Sequence, residues 1–227
     1  MRPVQAVFFD LDGTLVDTAP DLGYALNLQL ARHGKPTLTD DKIRPVASHG
    51  SRGLLELGFG ITPHDSQYIA MRDEYLALYD QVFTRQPRLF EGMETVIHHL
   101  AKQQMPWGIV TNKPRRFTQP LVASLGLHTQ AASVVSGDDA PQPKPSPATL
   151  LMACAQVDVD PKCCIYVGDA ERDIQAGKAA GMRTVVALFG YLDISDRPET
   201  WGADAMIRQP EELLQLIQAS SAADLVG

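Results

Sequence analysis

The sequence predicts an α/β fold: a doubly wound parallel sheet interrupted by an inserted α-helical cap domain. Three observations predict it. An apolar stretch, Ala6 to Phe9, stops abruptly at Asp10-Leu11-Asp12-Gly13. From Pro87 onwards helical and extended patterns alternate, which is the mark of βαβ units and a mostly parallel sheet. Between the two, roughly from Val16 to Arg85, the periodic patterns are helical. The helical block therefore interrupts the sheet after its first strand. It divides the chain into a discontinuous core, residues 1–15 and 86–227, and a cap, residues 16–85.

Val4 and Ala6 to Phe9 suit a strand buried on both faces. Asp10 then sits where the strand leaves the sheet, and in open α/β sheets ligands bind at that end. Asp12 points to the same side while the chain stays extended. Gly13 permits close approach of a ligand or a positive φ. Two carboxylates this close repel, and both ionise cheaply only beside a cation. The chemistry points to a divalent metal, magnesium first, with one carboxylate left as a nucleophile. Asp-Leu-Asp-Gly is also ordinary turn chemistry, so three later segments decide.

Within the helical block, Leu22, Ala25, Leu26, Gln29 and Leu30 share one helical face, and Gly34 and Pro36 close it. A short helical pattern covers 40–46, and 48–53 reads as a small polar turn before Leu54, Leu55 and Leu57. A longer helix is expected over 65–83, with Tyr68, Met71, Tyr75, Leu78, Tyr79 and Val82 as its apolar stripe. That stripe reads as packing rather than a ligand box. No strand is expected inside the block.

Beyond Pro87, Met93, Val96, Ile97 and Leu100 mark a helix, and 107–110 a strand ending at Thr111-Asn112. Phe117, Leu121 and Leu125 mark a helix closed by Gly126, followed by a strand at 133–136. Ser146 as N-cap and Pro147 in the first position open another helix. A strand at 163–167 ends at Gly168-Asp169, and a helix follows at 174–180. Strands at 184–187 and 205–207 precede a closing helix, with a frayed tail from Ser220.

The 227 residues suffice for one large domain or a core with an insert, and 44% hydrophobic content is ordinary for a globular chain. A net charge of −7 without a Lys/Arg block argues against nucleic acid or an anionic membrane as partner. Cys154, Cys163 and Cys164 lack CxxC spacing and read as buried reduced thiols. No leader and no apolar run of roughly 18 residues is found, so a cytoplasmic protein is expected. Monomer and homodimer both remain open.

Three further strand or loop ends complete a constellation. The Thr111 hydroxyl and the Asn112 amide can donate to a phosphate oxygen. Lys144, stiffened between prolines in Pro143-Lys144-Pro145-Ser146-Pro147, is a rigidly placed ammonium suited to a carboxylate and a phosphoryl group. Asp169 ends a strand, and Asp173 follows four residues later, where it also suits a helix N-terminus.

Asp10-Leu11-Asp12-Gly13-Thr14-Leu15-Val16-Asp17-Thr18 resembles motif one of the haloacid dehalogenase-like hydrolases in its phosphatase form. Thr111, Lys144-Pro-x-Pro and Val167 to Ile174 resemble motifs two, three and four, in family order. The resemblance implies a Rossmann-like core with the helical cap of the C1 subclass. It implies Asp10 as nucleophile and Asp12 as general acid/base, with Thr111 and Lys144 stabilising the transferring group. Mg²⁺ would be held by Asp10, the Asp12 backbone carbonyl and Asp169, with Asp173 behind them or on a metal-bound water. Gly13 and Asn112 would help bind the phosphate. In C1 relatives a cap loop descends on the site, which makes His49, Ser51 and Arg52 specificity residues here.

The implied activity is Mg²⁺-dependent hydrolysis of a small phosphate monoester through an aspartyl-phosphate. Asp10 to Leu22 is similar to bacterial phosphoglycolate phosphatases. Residues 89–93, 110–117 and 201–204 are more like a branch that includes N-acetylmuramic acid 6-phosphate phosphatases. A β-phosphoglucomutase-like phosphomutase keeps these motifs and stays open. A haloacid dehalogenase is disfavoured by Asp12 and the acidic set. A non-catalytic phospho-Asp signalling module is disfavoured by the cap and by Asp12.

Overall fold

The computed structural model describes residues 2–222. Its strands in chain order are β1 (Ala6–Phe9), β2 (Val16–Asp17), β3 (Arg88–Leu89), β4 (Trp107–Val110), β5 (Ser133–Val135), β6 (Cys164–Gly168), β7 (Arg183–Ala187) and β8 (Ala205–Ile207). The helices are α1 (Ala19–Arg32), α2 (Asp40–Ile43), α3 (Gly50–Phe59), α4 (Tyr68–Asp80), α5 (Met93–Lys102), α6 (Arg115–Ser124), α7 (Ala148–Val157), α8 (Glu171–Ala180) and α9 (Glu212–Ala222). Six strands form one parallel sheet in the order β5-β4-β1-β6-β7-β8. The chain leaves β1 to one side for β4 and β5, then returns to its other side for β6, β7 and β8. That reversal is a topological switch point, where such sheets open a crevice at their carboxyl ends.

The strands read as apolar runs because both faces are covered. Along β1, Ala6 and Phe8 join one core cluster while Val7 and Phe9 join the other, as alternation requires. One face packs Leu150, Ala153 and Ala176 of α7 and α8. The opposite face packs Met93, Val96, Leu100, Phe117, Leu121 and Leu213 of α5, α6 and α9. This second cluster continues without a break into the helical block through Leu22, Leu26, Leu54, Tyr75 and Tyr79.

Helix α1 is tied to α4 by the Gln29 amide, which donates to the Met71 carbonyl at 2.8 Å and to Glu74 Oε2 at 3.1 Å. Where the chain enters and leaves the block, β2 and β3 pair antiparallel, Val16 opposite Leu89 and Asp17 opposite Arg88. Asp21 Oδ2 accepts the Gln86 backbone N–H at 3.0 Å beside them. No strand is expected here from sequence, because two residues are too few to show a period.

Other boundaries also move. The expected polar turn at 48–53 is largely helical: a 3₁₀ turn over Arg44–His49 runs into α3, with only Gly50 at positive φ between them. Ala47, Leu54 and Leu55 are buried, and packing them overrides the polarity of the residues between. Helix α4 is shorter than the expected 65–83, because its flanks at 65–67 and 81–84 are turns. Helix α7 starts at Ala148, one residue later than expected, and Ser146 Oγ accepts the Ala148 N–H at 3.3 Å. Ser220 is not frayed: it is buried in α9, donates to the Leu216 carbonyl at 2.8 Å and accepts from Arg183. The rest of that tail, 223–227, lies outside the described residues. All three cysteines are buried free thiols. Among the described residues no helix is long and apolar enough to cross a membrane.

Candidate active site

Asp10, Thr111 and Asp169 follow β1, β4 and β6, three neighbouring strands, so the fold brings them to one sheet edge. Asp10 is buried, and its Oδ1 accepts the Leu11 N–H at 2.8 Å and meets Lys144 Nζ at 2.9 Å. Lys144 Nζ is enclosed. It also contacts Asp173 Oδ1 at 2.8 Å, the Tyr166 hydroxyl at 2.6 Å and the Val110 carbonyl at 3.0 Å. The loop carrying Lys144 is clamped by Asn112, whose Nδ2 donates to the Lys144 carbonyl at 2.9 Å and whose Oδ1 accepts its N–H at 2.8 Å. The Asn112 amide, expected on substrate, is thus engaged on the backbone of Lys144 and positions that lysine.

Asp169 Oδ2 accepts from Ser48 Oγ at 2.6 Å and from the Tyr191 N–H at 2.9 Å, while Oδ1 is buried without a hydrogen-bond partner. One oxygen each of Asp10, Asp169 and Asp173 lie within 4.8 Å of one another. Burial, then the charges of Asp10 and Asp173, push Asp169 up to about 7, against hydrogen bonds from Ser48 and Tyr191. Burial also raises Asp10; Lys144 opposes this and Asp173 adds to it. Three carboxylates here face the cations Lys144 and Arg172. Arg172 stays charged, because Asp173, Asp10 and Asp169 outweigh the burial that opposes it. The orphaned Asp169 oxygen and the crowded hard-oxygen donors fit Mg²⁺. Gly13 is required beside them: its φ is +85°, and a Cβ there would stand 2.1 Å from Asp169 Oδ2.

Asp12 turns its side chain elsewhere. Its Oδ1 accepts from Thr18 Oγ1 at 2.5 Å and from Lys113 Nζ at 2.9 Å, and Oδ2 lies 3.2 Å from the same ammonium. Only its backbone carbonyl is then left for a metal. Asp173 stands at the start of α8, where its Oδ2 accepts the Ala170 N–H at 3.1 Å, and its Oδ1 faces Lys144.

A cavity of about 490 Å³ opens above these groups. Asp10, Asp12, Thr111, Asn112 and Arg172 line its core side. His49, Ser51, Arg52 and Arg72 line the side made by the helical block, with Tyr75 and Tyr79. The aromatic stripe of α4 therefore packs and also lines the cavity. Thr111 Oγ1 accepts the Lys113 N–H at 3.1 Å. Gly13 and Asp169 stand at the acidic cluster, and Lys144 is buried beside it.

Sequence reasoning singled out neither Lys113, Arg172 nor Tyr191. Arg172 lies inside the stretch quoted for motif four, and Lys113 stands two residues after Thr111. Tyr191 carries no sequence signal, yet its hydroxyl accepts the Thr18 and Ala19 N–H groups at 2.7 and 2.9 Å and donates to Asp17 Oδ1 at 2.8 Å. Burial raises Asp17, but Arg44, Tyr191 and Arg88 outweigh it and hold the carboxyl below its usual range.

A family model for haloacid dehalogenase-like hydrolases matches residues 7–187. An N-acetylmuramic acid 6-phosphate phosphatase from Pseudomonas putida is 38% identical over 217 residues, 96% of this chain and 97% of that protein. A phosphoglycolate phosphatase from Xanthomonas campestris pv. campestris is 41% identical over 213 residues, 94% of this chain and 96% of that protein. A crystal structure described as a predicted phosphoglycolate phosphatase from Haemophilus somnus superposes with a TM-score of 0.80 at 24% identity. It covers 95% of this chain and 99% of that one, a likeness of fold.

Proposed function

The chain belongs to the haloacid dehalogenase-like hydrolases, and we propose that it is a Mg²⁺-dependent phosphomonoesterase working through an aspartyl-phosphate on Asp10. The observation that carries this reading is Asp10 itself. One of its oxygens is bound to Lys144 and the Leu11 N–H, and no such contact holds the other among the described residues. The carboxylate lines the cavity together with Asp12.

In the first half of the reaction Asp10 attacks phosphorus, the P–O bond to the leaving group breaks, and Asp12 supplies a proton to the departing oxygen. In the second half Asp12 takes a proton from water, which attacks the phosphoryl group and releases phosphate and Asp10. The Lys113 ammonium, held on Asp12, adds positive charge on the side where the phosphate arrives. Thr111, Arg172 and backbone N–H groups near Leu11 and Gly13 orient the phosphoryl oxygens. Asp10, Asp169 and the Asp12 carbonyl would hold Mg²⁺, with Asp173 behind them. When bound, the ion supplies positive charge against the carboxylates and the phosphoryl oxygens.

The helical block, 16–85, acts as a cap that excludes water and presents the substrate-selecting face. The substrate is phosphoglycolate or N-acetylmuramic acid 6-phosphate, each an acid bearing a second anionic group. Arg52 and Arg72 line the cavity on the cap side and suit that second group. Asp10→Asn, assayed on both esters with Mg²⁺ and with EDTA, tests the reading. Loss of all turnover is expected; retained turnover of either ester would refute the nucleophile.

A further inference from the structure

The hydroxyl of Tyr79 is the polar point on an otherwise apolar side chain. Its ring packs 5.1 Å from Phe117, 5.8 Å from Phe83 and 6.1 Å from Tyr75, centroid to centroid. Its oxygen accepts a hydrogen bond from Lys113 Nζ at 2.8 Å. The same ammonium holds Asp12 at 2.9 and 3.2 Å, and the Lys113 side chain is only 6% exposed. Three groups from three parts of the chain thus join through one ammonium: a phenol of α4, the Lys113 ammonium just after β4 and a carboxylate just after β1. Burial pushes the Tyr79 phenol well above its ordinary value, with Asp12 and Asp21 adding to the shift, so the group stays neutral.

We propose that Tyr79 is a positioning residue: through Lys113 it aligns the Asp12 carboxylate, so the acid/base group of the core depends on a helix of the cap. The proposal rests on the reading of Asp12 as acid/base given above. An ammonium on a flexible four-carbon stem samples many directions. Fixed partners on either side, Tyr79 and Asp12, leave it one. Without the phenol oxygen, Lys113 is free to swing away, and Asp12 keeps Thr18 as its remaining side-chain anchor.

The consequence is chemical. As the P–O bond breaks, an alkoxide leaving group needs the proton from Asp12, whereas p-nitrophenolate leaves without one. Misalignment of Asp12 should therefore show as selectivity between leaving groups, which a general loss of packing does not produce. Tyr79→Phe keeps the ring and removes the oxygen; Lys113→Met is the companion variant, in case one of them fails to fold. Each is assayed with saturating Mg²⁺ on p-nitrophenyl phosphate, phosphoglycolate and N-acetylmuramic acid 6-phosphate, beside Asp12→Asn. Because hydrolysis of the aspartyl-phosphate is common to all esters, the first half is read alone, as the single-turnover rate of Asp10 phosphorylation: with the alkyl esters it should fall about tenfold further than with the aryl ester, at saturating substrate. Asp12→Asn should show the same selectivity, more strongly. If Tyr79→Phe lowers both ester types equally, or changes only KM, while Asp12→Asn is selective, the alignment through Lys113 is wrong and the acid/base reading stands. If Asp12→Asn is itself unselective in the phosphorylation step, the reading of Asp12 as the acid fails, and the role of Tyr79 fails with it.

Discussion

The two sides of the cavity are built in opposite ways. On the core side Asp10, Lys144, Asp169 and Asp173 are each no more than 3% exposed, and each is bound to backbone atoms or to a buried partner. On the helical side His49 and Arg52 are exposed and Arg72 is half-buried. Among the described residues Arg52 has no hydrogen bond or ion pair, and Arg72 pairs with its neighbour Asp73. Buried charges held by fixed partners are preorganised and suit one reaction. Exposed cations on helices can change without disturbing the fold, and they suit the choice of substrate. Substitutions on the two sides should therefore differ in kind as well as in size.

After Asp10 itself, the largest effect is expected at Lys144. Lys144→Met leaves Asp10 and Asp173 facing each other without their shared cation. Activity should fall on the order of 10³-fold, and metal-free stability by about 3–5 kcal/mol, read by steady-state kinetics and by denaturant melts. If the melts are unchanged, the buried ion cluster is not what orders the core side. Gly13→Ala comes next. Its positive φ and its contact with Asp169 predict a loss of about 1–3 kcal/mol together with weaker Mg²⁺ binding by calorimetry.

The acidic cluster should also link pH to metal. Asp169 stands at about 7 in the metal-free fold against 3.8 as an ordinary carboxyl. The folded state therefore keeps a proton that the unfolded chain releases. Metal-free stability should fall as pH rises from about 4 to about 7 and then level off. Mg²⁺ binding should release a proton below pH 7 and none well above it, so affinity should rise with pH and then plateau. Calorimetry in buffers of different ionisation enthalpy counts that proton, and a pH-independent affinity would contradict the linkage. The smallest effect is expected on the helical side. Arg52→Ala should raise KM for a carboxylated phosphate ester about fivefold or less, with the melting temperature unchanged. A large stability loss there would erase the contrast between the two sides.

The same contrast explains what could be read from the chain. Asp10, Lys144 and Asp169 were legible because buried parallel strands appear as apolar runs that end in a charged residue, and prolines frame the lysine. Tyr191 was not, because its importance lies in contacts with residues more than 20 positions away and its loop has no period. The β2–β3 ribbon was too short to show alternation. The stripe on α4 was read as packing alone, since nothing local marks that Tyr79 meets Lys113. Asn112 was read on a phosphate alone, and nothing local marks that its amide also clamps the backbone of Lys144, 32 positions away.

The central claim is that Asp10 is phosphorylated during turnover. Acid-quenched enzyme, caught with substrate before the steady state and digested for mass spectrometry, tests it most directly. The peptide carrying Asp10 should gain the mass of one phosphoryl group and lose it once the substrate is exhausted. A phosphoryl group found on another residue, or on none while phosphate is being released, would contradict the claim.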